Sequence, residues 1–183
     1  LTTSSAASDV YKRQFKTHVG DNLNVILKDN LYLMDFPSRP PKLLEDFELS
    51  QLEEALGKKP IKVLAYRDLI AIYDNEDDIR SINPDMEKLK QLEFPSIVAT
   101  SIGRNADFVS RNFAPKLGIP EDPVTGSTHC ELIPYWSEVL DKKQMIAHQL
   151  SDRGGIIYCG NNHDRVSIGG EAVTFLRGEI EVL

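Results

Sequence analysis

One apolar run constrains this chain more than any other. Between Ser127 and Leu140, the residues Cys130, Ile133, Trp136 and Val139 recur at helical spacing, and Leu132, Tyr135 and Leu140 widen the stripe. A helix apolar over so much of its girth belongs inside a core. The rest of the chain is mostly short β-rich runs divided by turn signals, with no βαβ alternation and no internal repeat. These features predict an α+β fold: a strongly curved mixed sheet wrapped around a central helix.

The runs can be placed in order. Strands are predicted at Phe15–Val19, Leu23–Leu27 and Leu31–Phe36, punctuated by Gly20-Asp-Asn and Asp29-Asn. Pro37-Ser-Arg-Pro-Pro41 is too rich in proline for either regular structure and reads as a sheet exit or domain boundary. A helix over 49–56 has Ser50 as its expected N-cap and Gly57 after its end. Strands at Ile61–Tyr66 and Leu69–Tyr73 are joined by Arg67-Asp68, and Asn75-Glu-Asp-Asp78 reads as an acidic helix start. A further helix is expected at Pro84–Leu92, with Pro84 in its first turn, and strands at Ser96–Thr100 and Asp107–Phe113. Beyond the central helix the predicted strands are Met145–Leu150, Ile156–Cys159, Arg165–Ile168, Ala172–Leu176 and Glu179–Leu183. Residues 1–14 show no apolar periodicity and lack the apolar core of a signal peptide, so they are set aside as a non-native or disordered leader.

Charge and cysteine content narrow the function. The chain has 183 residues and a formal net charge of -7, with no basic face, so neither nucleic acid nor an anionic membrane is an expected partner. No apolar run reaches membrane-spanning length. Two cysteines, Cys130 and Cys159, are too few for a disulfide framework and point to a reducing cytoplasm. His129, Cys130, His148, Cys159 and His163 show no metal-ligand spacing, so no metal is assigned.

The loop entering the central helix carries the chemistry. Pro120 and Pro123 stiffen Glu121–Thr125, and Pro123 drives Asp122 towards extended geometry. Gly126 leaves room for a ligand to approach the backbone, and the first helical N–H groups, at Gly126, Ser127 and Thr128, lack partners within the helix. Such a terminus can hold a carboxylate, with Asp122 beside it. A purely structural reading uses the same residues: Asp-Pro-x-x-Gly as a turn and Thr128-x-x-Glu131 as a capping box. A hydrolase built on Ser127 or Cys130 is a weaker alternative, because Ser127 and His129 are two residues apart and do not face each other on a helix.

Glu121-Asp-Pro-Val-Thr-Gly-Ser-Thr-His129 followed by Pro134-Tyr-Trp136 resembles the signature of the PhzF-like family of phenazine biosynthesis. Met34-Asp-Phe-Pro37, Asp107-Phe-Val-Ser-Arg-Asn-Phe-Ala-Pro115 and Gln149-Leu-Ser-Asp-Arg-Gly-Gly155 match the same pattern in the expected order, extending the resemblance over roughly residues 15 to 183. The resemblance implies a diaminopimelate-epimerase-like fold, with two similar domains and a cleft between them. Residues 15–31 would be the tail of the first domain, and residues 32–183 would form the second, with the last strand returning to the first. It further implies a cofactor-independent isomerase that moves a proton at carbon in a small carboxylate-bearing metabolite, working as a cytoplasmic homodimer. Asp122 would be the catalytic aspartate, Gly126 and Ser127 would hold the substrate, and Thr125 would shape the turn. The family's glutamate and Gly-His pair have no counterpart in residues 1–14, so the chain is expected to hold half of a site and to lack turnover alone. The competing expectation is a non-catalytic module that binds small anions.

Overall fold

The computed structural model describes residues 11–16, 22–179 and 181. In chain order its elements are β1 (Tyr11–Lys16), β2 (Asn22–Lys28), β3 (Leu31–Pro37), β4 (Lys42–Leu43), α1 (Leu49–Leu56), β5 (Lys62–Ala65), β6 (Leu69–Ile72), α2 (Glu76–Ser81), α3 (Met86–Gln91), β7 (Ile97–Ile102) and β8 (Phe108–Phe113). A 3-10 turn (Pro115–Leu117), α4 (Gly126–Leu140), β9 (Gln144–Gln149), β10 (Gly155–Asn162) and β11 (Arg165–Gly170) complete it. All the strands join one 11-stranded sheet in the order β1-β2-β3-β11-β10-β9-β8-β7-β6-β5-β4. Among the described residues, only the β6–β7 and β8–β9 pairings are parallel.

The central part of the sheet is apolar on both faces, and alternation sorts its residues between two cores. In β6, Leu69 and Ala71 point to one side and Ile70 and Ile72 to the other, all four buried. The first core lies between β5–β8 and the short helices, joining Leu52, Leu56, Ile79 and Leu89 to Val63, Ile97 and Phe113. The second surrounds α4, whose Cys130, Leu132, Ile133 and Trp136 cluster with residues from every strand from β5 to β11. Seven flat strands would span about 30 Å, whereas a helix is only about 10–12 Å across. One helix can share a core with all seven only if the sheet curls around it. The expected wrapped α+β architecture is therefore present.

Helix α4 contains Pro134, which removes the hydrogen bond that would end on the Cys130 carbonyl. The Arg39 N–H donates to that carbonyl instead, at 2.9 Å. The proline-rich segment after β3 is thus tied to the helix at the point where the helix lacks its own bond. Val139, expected on the apolar stripe, is 52% exposed, because the enclosed face ends one turn earlier with Trp136.

Some local signals hold and others give way. Asp29 and Asn30 take φ values of 50° and 65°, turning the β2–β3 hairpin as that dipeptide predicts. Asn75 caps α2 by accepting from the Asp78 N–H. Ser50, by contrast, lies inside α1; Glu48 occupies the N-cap position and makes no capping bond. Pro84 lies outside α3, because Asp85 caps it by accepting from Glu87 and Lys88. Strand β1 begins at Tyr11, within the stretch expected to be a leader, and pairs with β2. The sheet also continues unbroken through β2, β3 and β11 across the boundary expected at residues 31–32.

The strand predicted at Ala172–Leu176 does not form, and Val173 and Phe175 are almost fully exposed. Both sides of β11 are already taken, by β3 and β10, so the chain leaving β11 finds no free edge beside it. Glu179 and Glu181 are likewise outside any strand. Residues 1–10, His18, much of the expected Phe15–Val19 strand, the Gly20-Asp21 turn and the remainder of the last predicted strand lie outside the described residues.

Candidate active site

The loop Glu121–Thr125 has no regular structure, and three separate stretches of the chain hold it in place. From β8, Arg111 makes a two-pronged ion pair with Glu121 at 2.7 and 2.9 Å, and the Asn112 carbonyl accepts from the Asp122 N–H at 2.9 Å. From β9, Gln149 donates to the Asp122 carbonyl at 2.6 Å and accepts from the Thr125 N–H at 2.8 Å. From the turn after β9, the Ser151 hydroxyl donates to the Pro123 carbonyl at 2.8 Å and accepts from the Gly154 N–H at 3.0 Å. Gly155 sits so close that a Cβ there would lie 2.2 Å from Val124 Cγ2, so any larger residue would push the loop out.

Asp122 is half-buried, and its Oδ2 accepts from the Thr125 hydroxyl at 2.7 Å. That hydroxyl in turn accepts from Gln149 Nε2 at 3.0 Å. Thr125 is the N-cap residue of α4 by its extended backbone, yet its side chain makes no capping bond. Its hydroxyl holds Asp122 instead, and among the described residues no side chain accepts from the first N–H groups of the helix. Asp122 and the start of α4 are therefore neighbours, as expected, and Thr125 is the direct link between them.

The capping box expected from Thr128 and Glu131 is absent, because tertiary partners claim both side chains. Thr128 donates to Asp68 Oδ2 at 2.9 Å and accepts from Asn112 Nδ2 at 2.6 Å. Glu131 Oε2 accepts from the Asp68 N–H at 3.3 Å, while its Oε1 is buried without a protein partner. Burial, then the charge of Asp68, pushes the Glu131 carboxyl up to about 7. Ser127 accepts from Arg67 Nη2 at 3.3 Å.

Gly126 borders an open cleft of about 490 Å³, shared with Val124, Met34, Tyr158, Gly169 and the Arg153–Gly155 turn. A Cβ on Gly126 would meet nothing within 4 Å, so packing within this chain does not demand glycine there. A larger hollow of about 680 Å³ lies between Leu43–Phe47 and Gln91–Phe94 and shares no residue with the Asp122 loop.

The nucleophile alternative lacks a supporting arrangement. His129 is fully buried, its Nδ1 donates to the Thr125 carbonyl at 2.7 Å, and burial lowers its pKa to about 4. The Cys130 thiol is buried and pushed up, chiefly by that burial. Neither is paired with Ser127. Among the described residues no cluster of His, Cys, Asp and Glu has the geometry to hold a metal ion, and no helix is long and apolar enough to cross a membrane.

Sequence reasoning did not single out Gln149, Asn112, Asp68 or Arg67. A charged Arg67-Asp68 joint between two apolar runs was the available signal for the last two.

Comparison with known proteins shows the family. Residues 18–178 match the family described as phenazine biosynthesis-like protein, PhzC-PhzF. An uncharacterized isomerase of Pseudomonas aeruginosa is 42% identical over 161 residues, covering 87% of this chain and 61% of that protein. Another, from Halalkalibacterium halodurans, is 42% identical over 150 residues, covering 80% and 56%. The chain thus spans about three fifths of the length of these relatives. Among solved structures, a PhzC/PhzF protein from Clostridium difficile superposes with a TM-score of 0.85 at 44% identity, covering 95% of this chain and 66% of that one. A PhzF-family protein from Enterococcus faecalis gives 0.87 at 38% identity, covering 98% and 67%.

Proposed function

Because this chain belongs to the phenazine biosynthesis-like family, we propose that the complete protein is a cofactor-independent isomerase acting on a small carboxylate-bearing metabolite. The observation that carries this reading is Asp122, held through Thr125 and Gln149 beside the uncapped start of α4. Moving a proton at carbon requires a group to carry it and a place where the accumulating negative charge is stabilised. Asp122 is the proton-carrying group of this wall. The leading N–H groups of α4, at Gly126 and Ser127, hold the substrate's carboxylate, and Thr125 fixes the distance between the two functions. A second proton-carrying group has to face Asp122 across the cleft. In this reading it comes from a part of the protein outside the motifs found here, and this chain alone does not turn over.

The test is exchange in deuterated water. The complete protein is incubated with a panel of small carboxylic acids, and deuterium gained at carbon is followed by mass spectrometry. Asp122→Asn, which keeps an acceptor for Thr125, is expected to lower exchange by about 10²-fold or more, the range of general acid-base contributions, with an unchanged melting curve. Equal rates in the variant would remove Asp122 from the chemistry. Carboxylate binding without any exchange would favour the anion-binding module instead. Robust exchange by the 183-residue chain alone would contradict the half-site.

A further inference from the structure

Arg67 and Asp68 have no role in the function proposed above, and their arrangement suggests one. They form the tight joint between β5 and β6. Asp68 is 0% exposed, and burying a carboxylate is costly unless charge and hydrogen bonds compensate it. The compensation is directional. Ser96 donates to Asn112 Oδ1 at 2.7 Å, Asn112 donates to Thr128, and Thr128 donates to Asp68. Every link passes its hydrogen towards the Asp68 carboxylate, which in turn accepts from Arg67 Nε at 3.0 Å.

The cation held this way is not itself buried. The Arg67 side chain is 42% exposed and reaches the first turn of α4, where Nη2 donates to Ser127 Oγ at 3.3 Å. A serine hydroxyl that accepts from arginine keeps its own proton free to donate elsewhere. A guanidinium offers five N–H groups, and among the described residues those on Nη1 find no acceptor. A buried carboxylate thus aims a partly exposed fork of donors at the helix start proposed to hold the substrate.

We propose that Arg67 is a binding and specificity residue of that site, clamping the substrate's carboxylate together with Ser127 and the leading amides of α4, and that Asp68 positions it. The inference rests on the carboxylate-site reading above. It adds the requirement for a negative charge: amides and a hydroxyl alone accept many oxygen acceptors, whereas a guanidinium fork favours a planar anion.

The probe is benzoate, with benzamide as the uncharged control of the same shape. Binding to the ¹⁵N-labelled complete protein is read by NMR at the Gly126 and Ser127 amides and at Arg67 Nε. Benzoate is expected to shift all three signals, and benzamide to bind at least tenfold more weakly. Arg67→Gln should weaken benzoate at least tenfold and leave benzamide unchanged, erasing the discrimination. Arg67→Lys should recover part of the benzoate affinity by restoring charge without the fork. If Arg67→Gln binds benzoate as the wild type does, the Arg67 proposal is overturned while the helix-start site stands. Should benzoate shift neither Gly126 nor Ser127, the site reading itself fails. If the spectrum of Arg67→Gln shows a lost fold, Arg67→Lys decides alone: benzoate affinity equal to that of the wild type, with wild-type spectral dispersion, also overturns it.

Discussion

Glu131→Gln provides a direct test of the polar core beneath the site. Glu131 is 0% exposed, sits beside the Asp68 charge, and receives one N–H from Asp68 against an Oε1 with no protein partner. Burial raises its pKa first and the Asp68 charge second, from an ordinary 4.5 to about 7. The folded protein therefore keeps a proton on Glu131 at pH values where the unfolded chain has released it. Stability from this proton is fully present below about 4.5 and is lost as pH rises through about 7. At 1.36 kcal/mol per pH unit the full shift is worth about 3 kcal/mol. Allowing for the partly exposed Arg67 and for solvent screening, we take about 2 kcal/mol.

Glutamine has the shape of the protonated acid and cannot ionise. It can accept from the Asp68 N–H with its oxygen and place its NH₂ where Oε1 now lies. The assay is urea unfolding of wild type and Glu131→Gln from pH 4.5 to 8.5. Subtracting the two profiles removes every other titrating group. The difference should grow in favour of the variant between pH 4.5 and about 7, by about 2 kcal/mol in all, and level off towards pH 8.5. For a chain of this size that is roughly 4–8 °C in Tm. Parallel profiles, or a difference that grows towards acid, would refute the burial argument.

Two further outcomes follow from the same site. Thr125→Val keeps shape but deletes the hydroxyl between Asp122 and Gln149; it should cost about 1–2 kcal/mol in urea unfolding and lower exchange in the complete protein at least tenfold, and full activity would show that Asp122 needs no anchor. The His129 imidazole should titrate near 4 by NMR, because burial lowers it; its stabilising contribution is then complete above about 6.5 and lost as pH falls through about 4, and a midpoint near 6.5 would mean the ring is not enclosed.

The sequence made α4 legible because its signal is local: apolar residues at helical spacing over four turns suit a buried helix and little else. The Asp29-Asn30 turn and the acidic helix start at Asn75–Asp78 were legible for the same reason, since each uses only neighbouring residues. Reading failed where distant residues outbid local ones. Thr128 and Glu131 have capping-box spacing, but Asp68, 60 and 63 positions away, takes both side chains. Ala172–Leu176 has strand-like residues, but whether a strand forms depends on a free edge, and neighbouring strands occupy both sides of β11. At the candidate site, Asp122 and Gly126–Ser127 stood out in their loop and helix start, but only the family resemblance attached a function to them. Gln149 and Asn112 escaped notice because nothing in a β-strand sequence marks which polar residue will reach across to a loop.

The family's separated motifs have a common physical purpose in this geometry. Asp122 lies on a loop, where side-chain placement is normally loose, and the proton transfer proposed for it would need placement within about half an ångström. The loop is fixed by the Asp107–Pro115 motif through Arg111 and Asn112, and by the Gln149–Gly155 motif through Gln149, Ser151 and Gly155. These motifs lie far apart in sequence but end on β8 and β9, which are adjacent and parallel, with Ser110 opposite Gln149. Parallel pairing brings the two ends to the same edge of the sheet, and the Asp122 loop is clamped between them. Losing Gln149 should therefore disturb Asp122 and Thr125 together, since one carboxamide holds both. The proposed chemistry would then depend on residues that need never touch a substrate.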